Sequence, residues 1–156
     1  MGPEQVQELC TETLAKGPDI TSAERWTDDS RPSGLVITFS SGARLWTGVT
    51  TANADAVASA ASAAVVPSAA PPLPALFDSA GKITPERAEQ YLTASLLAAQ
   101  DPAITSAYGY SSASSGRHPG IGIYLADSTR AFLPFVYTAA HGKRPAARAF
   151  TIDAAF

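Results

Sequence analysis

One pattern occurs twice in this chain, and it constrains the fold more than any other feature of the sequence. A segment with helical spacing is followed by a proline and by about three segments with strand character, first near residues 3–50 and again near residues 85–137. The tetrapeptide Ile-Thr-Ser-Ala stands after the helical segment both times, at residues 20–23 and 104–107. We therefore predict an internal duplication of an α-β-β-β unit.

The two helical segments share both a start and an apolar face. Each opens with Pro-Glu, at residues 3–4 and 85–86. Proline suits the first helical position, and a glutamate beside it interacts favourably with the helix dipole. Apolar or small residues recur at helical spacing, which predicts helices over about 3–16 and 85–99 that bury these positions: Val6, Leu9, Cys10, Thr13 and Leu14 in the first, and Ala88, Tyr91, Leu92, Ser95 and Leu96 in the second.

The strand segments also correspond between the two units. The Ile-Thr-Ser-Ala segments alternate up to Trp26 and Tyr110, and a polar loop then leads to an alternating hairpin strand. The turns fall at residues 41–42 and 127–128, and Ser-Gly in the first predicts a type I′ or II′ turn. Matching residues also occur around these hairpins. Arg31 and Arg117 precede the hairpins, and on the returning strands Arg44 matches Arg130 while Trp46 matches Phe132.

A unit of about 50 residues buries too little surface to fold stably alone. We therefore expect an α+β fold in which two repeats, related by a pseudo-twofold axis, share one core. Either one continuous antiparallel sheet with both helices on one face, or two packed three-stranded sheets, fits the pattern. The continuous sheet is favoured because each repeat supplies only one helix. The expected division is 1–66 with an alanine-rich stretch that fits a helix, a proline-rich linker over 67–83, and 84–156 with a C-terminal strand, all in one structural domain.

Composition limits the classes of partner. The chain has 156 residues, a formal net charge of −3 and a pI near 5.2, so a phosphate backbone is not the expected partner. The order of elements resembles the double-stranded-RNA-binding domain in topology, but residues 51–64, where that family has a basic helix start, contain no Lys or Arg. No secretory signal or bilayer-spanning run is visible. We expect a protein of the cytoplasm or of a larger particle, from a GC-rich actinobacterial or phage genome.

No residue pattern commits the chain to catalysis. His118 and His141 lack a triad or metal-ligand spacing, and Cys10 lies on an apolar helix face. We therefore assign no catalytic residue, metal or cofactor. The candidate binding residues are the repeated arginines and the aromatic residues beside them. The arginines either form an anion site or are solvated or ion-paired residues. The full set is Arg31, Arg44, Arg117, Arg130, Trp46 and Phe132.

The expected function is that of a non-enzymatic structural or protein-interaction protein. An adaptor, an assembly component such as a phage structural protein, and a chaperone-like partner all fit, and each implies a protein partner or self-assembly. The first alternative is a small-molecule-binding protein or enzyme with a site at the repeat interface. The second is a nucleic-acid-binding module.

Overall fold

The computed structural model describes residues 2–53, 73–110, 118–145 and 148–156. Within these residues, the predicted helices are present and each ends one or two residues earlier than expected. A short strand that the sequence pattern did not indicate, β4, follows the first hairpin. In chain order the elements are α1 (Pro3–Leu14), β1 (Ile20–Trp26), β2 (Gly34–Phe39), β3 (Arg44–Gly48), β4 (Thr50–Asn53), α2 (Pro85–Ala98), β5 (Ile104–Gly109), β6 (Gly120–Leu125) and β7 (Thr129–Ala139).

Both helices begin at the residues that the sequence predicts, and each buries one face. The Thr84 hydroxyl accepts a hydrogen bond from the Arg87 backbone N–H at 3.3 Å and caps α2. At the start of α1 the side-chain oxygen of Gln5 accepts from the Gly2 N–H at 2.8 Å. The predicted faces are buried except for Leu9, which is half-buried. Neither of these two helices is long and apolar enough to cross a membrane.

The strands form one curled antiparallel sheet, in the order β1-β2-β3-β7-β6-β5. β4 continues from β3 and also pairs with β7, so that Arg44 lies opposite Ala139 and Asn53 lies opposite Thr129. The centre of the sheet is therefore one long antiparallel pair, with α1 and its strands on one side and α2 and its strands on the other. This is the continuous arrangement that the sequence favours over two packed sheets.

The pairing of β1 and that of β5 are irregular at the same point of the strand. Ile20 lies opposite Phe39, and the register shifts before Ser22. Ile104 likewise lies opposite Leu125, and the register shifts before Ser106. Each shift falls inside the Ile-Thr-Ser-Ala tetrapeptide, so the identical residues occupy identical irregularities in the two edge strands.

The core lies between the helices and one face of the sheet. Alternate strand residues point to this side, and they join both helices in one cluster. Phe156 also enters it, with its ring 6.4 Å from the ring of Phe39. Fully buried members of the cluster include Val6, Leu14, Leu35, Ile37, Leu45, Leu92, Leu96, Ile121, Ile123, Leu133 and Phe135.

The hairpin turns differ from the predicted type. Gly42 has φ +89° and Ser128 has φ +71°, while the residues before them have negative φ. A type I′ turn needs positive φ at both central residues, and a type II′ turn needs it at the first. The prediction of a primed turn is therefore wrong. The Gly42 N–H donates to the Phe39 carbonyl at 2.9 Å, which is typical of a type I turn followed by one left-handed residue.

The described end of the predicted linker packs on the protein. Leu76 is buried in the core, and Arg87 donates to the carbonyls of Ala75 and Phe77 at 3.1 and 3.3 Å. Ile83 and Phe156 exchange two backbone hydrogen bonds, of 2.8 and 2.9 Å. The alanine-rich stretch and the first part of the linker, residues 54–72, lie outside the described residues. In the predicted C-terminal strand, Thr151 forms a single parallel bridge with Tyr137.

Candidate interaction surface

The sheet face opposite the helices carries a cluster of aromatic side chains. Because strand side chains alternate, the residues beside those of the core point to this face. The ring of Tyr137 meets Trp26 at 5.9 Å and Trp46 at 6.2 Å, with both pairs nearly perpendicular. Trp46 is 8% exposed, whereas Trp26 and Tyr137 are half-buried. Three strands therefore contribute to one aromatic cluster that lies outside the core.

A second aromatic cluster lies on the α2 half of the same face. Tyr108 packs against Tyr124 at 5.6 Å and against Tyr110 at 6.2 Å between ring centroids. The rings lie close over glycines. A Cβ on Gly122 would come within 2.3 Å of Tyr108, and one on Gly120 within 2.5 Å of Tyr110. Glycine at these strand positions gives the rings room to lie against the backbone.

Arg130 lies inside the second cluster. Its guanidinium carbon is 4.5 Å from the ring centre of Tyr124, 5.2 Å from Phe132 and 5.5 Å from Tyr108. It donates a hydrogen bond to the Tyr108 hydroxyl. The residue is only 7% exposed, and its Nε has no hydrogen-bond partner. Neither ion pair among the described residues includes it, so the aromatic rings and one hydroxyl surround this charge.

Arg44, at the matching position of β3, has a more open setting. Its guanidinium stacks on Trp46, 4.9 Å from the ring centre. One nitrogen donates to the Lys143 carbonyl at 3.2 Å, and the residue is half-buried. Arg44 thus keeps much of its contact with solvent, whereas Arg130 keeps little.

The repeated arginines do not meet in one site. Arg44 lies opposite Ala139, which is nine residues along β7 from Arg130, a span of roughly 30 Å at about 3.3 Å per strand residue. Arg31 is elsewhere, paired with Asp28 at 2.8 Å and placed 4.9 Å over the ring of Phe150. The predicted candidate Arg117 lies outside the described residues. The three candidate arginines that the structure describes, Arg31, Arg44 and Arg130, therefore lie in separate places.

A small cavity lies where the two halves meet. It has a volume of about 350 Å³, and its walls are mainly apolar. Gly48, Pro134 and Arg31 border it, together with Phe150, which is 48% exposed. Beside it, a ring nitrogen of His118 lies 2.6 Å from the Phe135 carbonyl. Of the predicted site residues that the structure describes, only Arg31 borders this cavity.

Two buried polar residues that sequence reasoning missed connect the helices to the sheet. Gln7 on α1 donates to the Gly34 carbonyl at 2.6 Å. Glu89 on α2, which is 2% exposed, accepts from the Gly120 N–H at 2.9 Å. Each follows the first apolar residue of its helix face, and each reaches the first residue of a hairpin strand. That shared position is the signal that identifies them in the sequence.

The chemistry of the described residues is sparse. No group of three His, Cys, Asp or Glu side chains among them is placed to hold a metal ion. Burial raises the pKa of the Cys10 thiol to about 12, so the thiol is protonated in the core. Burial also raises the pKa of Tyr110 above its ordinary range. Neither group has the low pKa of an activated nucleophile.

Comparison of the chain with protein families, with characterised proteins and with solved structures found no match.

Proposed function

We propose that the protein is a non-enzymatic structural or interaction protein that contacts a protein partner through the sheet face opposite the helices. The observation that carries this proposal is the aromatic cluster of Trp26, Trp46 and Tyr137 outside the core. Trp, Tyr and Arg are the residues most enriched at the energetic centres of protein interfaces. An adaptor, an assembly component and a chaperone-like partner all use such a surface, whether in the cytoplasm or within a larger particle.

The edges of the sheet support the same function. β1 and β5 each pair with one neighbour, so among the described residues each leaves one side open. An extended segment of a partner adds to such an edge by main-chain hydrogen bonds. Arg25 and Glu24 are exposed on β1, and charged side chains on an edge oppose indiscriminate pairing. A partner that uses an edge therefore also needs side-chain contacts for its selectivity.

We also infer that the two halves are copies of one α-β-β-β unit related by a pseudo-twofold axis. The shared order of elements, the same shift in β1 and β5, and the matching Arg44 and Arg130 support this inference. The units correspond to residues 1–66 and 84–156, joined by the linker at 67–83 in one structural domain. The aromatic clusters of such a molecule lie at opposite ends of one face, which suits a protein that joins two partners.

Site-specific photocrosslinking tests the proposed surface. A benzoylphenylalanine replaces Tyr137 on the aromatic face, or Gln90 on the exposed side of α2 as the matched control. After irradiation in the source cells, we expect adducts of defined mass from position 137 and none of these from position 90. Adducts to a second copy of the chain would identify self-assembly. Equal labelling at both positions, or no adduct at 137, would refute the proposal.

The cavity beside Arg31 favours a second candidate function, the binding of a small molecule between the halves. Its volume of about 350 Å³ and apolar walls suit an aromatic carboxylate. Asp28 already neutralises Arg31 at 2.8 Å, which argues for a weak site. A thermal-shift screen of aromatic carboxylates tests this, with Arg31→Met as the control. A shift that is unchanged in the variant would exclude this cavity as the site.

A further inference from the structure

One end of the aromatic face combines aromatic rings with cations that belong to neither ion pair of the described residues. We define the basic-aromatic patch as Trp26, Arg44, Trp46 and Tyr137 on the sheet, with Lys143 and Arg144 in the loop that follows β7. The hydrogen bond from Arg44 to the Lys143 carbonyl, 3.2 Å long, holds this loop beside the rings. Lys143 and Arg144 are both exposed.

Positive charge is concentrated in this part of an acidic chain. Between Asp127 and Asp153 there is no acidic residue, but there are four basic ones: Arg130, Lys143, Arg144 and Arg148. The two ion pairs of the described residues, Arg25 with Glu8 and Arg31 with Asp28, leave the cations of the patch out. Glu24 on β1 is an exposed carboxylate on the same face, opposite Val36, which in turn pairs with Trp46. The three cations Arg44, Lys143 and Arg144 outnumber it, so the patch carries net positive charge on a chain of formal charge −3 and favours acidic ligands.

The ring geometry decides between a polypeptide and a nucleic acid as the ligand. Bases stack on open, flat aromatic faces. Here the Trp46 face is covered by Arg44 at 4.9 Å, and Tyr137 meets Trp26 and Trp46 edge to face. The stacked guanidinium is instead held ready for a carboxylate, because its orientation is already restricted. The grooves between perpendicular rings suit aliphatic side chains rather than bases.

We propose that the basic-aromatic patch binds an acidic segment of a partner protein. Carboxylates of that segment pair with Arg44, Lys143 and Arg144, while an apolar side chain packs against Trp26 and Tyr137. This inference rests on the proposed function and names the chemistry of its partner. It places the charges at the rim of the contact and the rings at its centre, the usual arrangement of a protein interface.

Selection from a displayed library of random twelve-residue peptides tests the inference. The wild-type chain is the bait, and Lys143→Glu/Arg144→Glu is compared with Lys16→Glu/Lys82→Glu. All four side chains are exposed, and both variants change the net charge equally, so the control is matched in exposure and in total charge. We expect enriched peptides to carry Asp or Glu beside apolar residues. The patch variant should bind them about tenfold or more weakly, and added salt should weaken wild-type binding.

The other outcomes overturn the inference in distinguishable ways. Enriched peptides without acidic residues that still compete with crosslinking at position 137 would leave the proposed function standing and refute the acidic partner. No enrichment over the patch variant, or equal weakening by both variants, would also refute it. A thymidine oligonucleotide that binds the wild-type chain but not the patch variant would reassign the patch to nucleic acid. Circular dichroism of each variant confirms that it is folded.

Discussion

Replacing Arg130 by alanine should destabilise the fold much more than the same change at Arg44, although the two occupy matching positions. Arg130 is 7% exposed, packs among three rings and donates to the Tyr108 hydroxyl. A hydrogen bond from a charged group contributes about 1.5–3 kcal/mol, and the truncated side chain leaves a cavity. Relief of an unpaired buried charge offsets part of this, so we expect a net loss of about 3 kcal/mol. Arg44→Ala removes one stacking contact and one hydrogen bond to the Lys143 carbonyl, both half-exposed and together worth about 1 kcal/mol.

Urea unfolding measures the difference, because Trp26 and Trp46 report on this face by their fluorescence. At a slope of about 1–3 kcal/mol per molar urea, Arg130→Ala should lower the midpoint by about 1–3 M, and Arg44→Ala by about 0.3–1 M. Arg130→Met keeps the stem and removes the charge, so it should lie within about 1 kcal/mol of the wild-type protein. Equal midpoints for the two alanine variants, at an unchanged slope, would refute the view that the rings hold Arg130 as a structural residue.

Two further predictions follow from packing and from burial. Gly122→Ala should destabilise by about 1–3 kcal/mol, because its Cβ would lie 2.3 Å from Tyr108, whereas Gly48→Ala meets nothing closer than 3.7 Å and should have a smaller effect in the same urea assay. Burial raises the pKa of Cys10 from 9.0 to about 12, so the folded state keeps a proton that the unfolded state loses. Stability should fall by up to about 1.4 kcal/mol per pH unit between pH 9 and 12. Cys10→Ala should lack this component of the slope, and an identical pH dependence in both proteins would contradict the assignment.

The local elements could be predicted because their causes are local. A Pro-Glu start and apolar residues at helical spacing place α1 and α2 within one or two residues, since backbone hydrogen bonds and one buried face are enough to define a helix. The alternation in Leu35, Ile37 and Phe39 likewise places β2, because side-chain direction changes at every strand residue. These features need no knowledge of what packs against them.

The site could be predicted only in part, because burial is a property of the assembled sheet. Sequence reasoning singled out Arg44, Arg130, Trp46 and Phe132, and these do lie on one face outside the core. The sequence pattern does not show that rings enclose Arg130 and leave Arg44 half-exposed. The difference lies in the edge strands, because Glu24 in β1 occupies the place that Tyr108 occupies in β5. The sequence pattern groups the four arginines as one set, whereas Arg44 and Arg130 lie at opposite ends of the central pair of strands.

What the sequence determined by itself is therefore the order of the two helices and of six of the seven described strands, with the helix faces and hairpin strands that form one core. What only the tertiary structure decided is how the halves join and which polar groups are buried. β4 exists because β7 is long enough to pair with β3 and then with residues 50–53. Gln7 and Glu89 are buried because each lies against a hairpin strand of its own half. Such contacts join residues far apart in the chain, so a local pattern marks the position of a residue such as Gln7 or Glu89 but does not identify its partner.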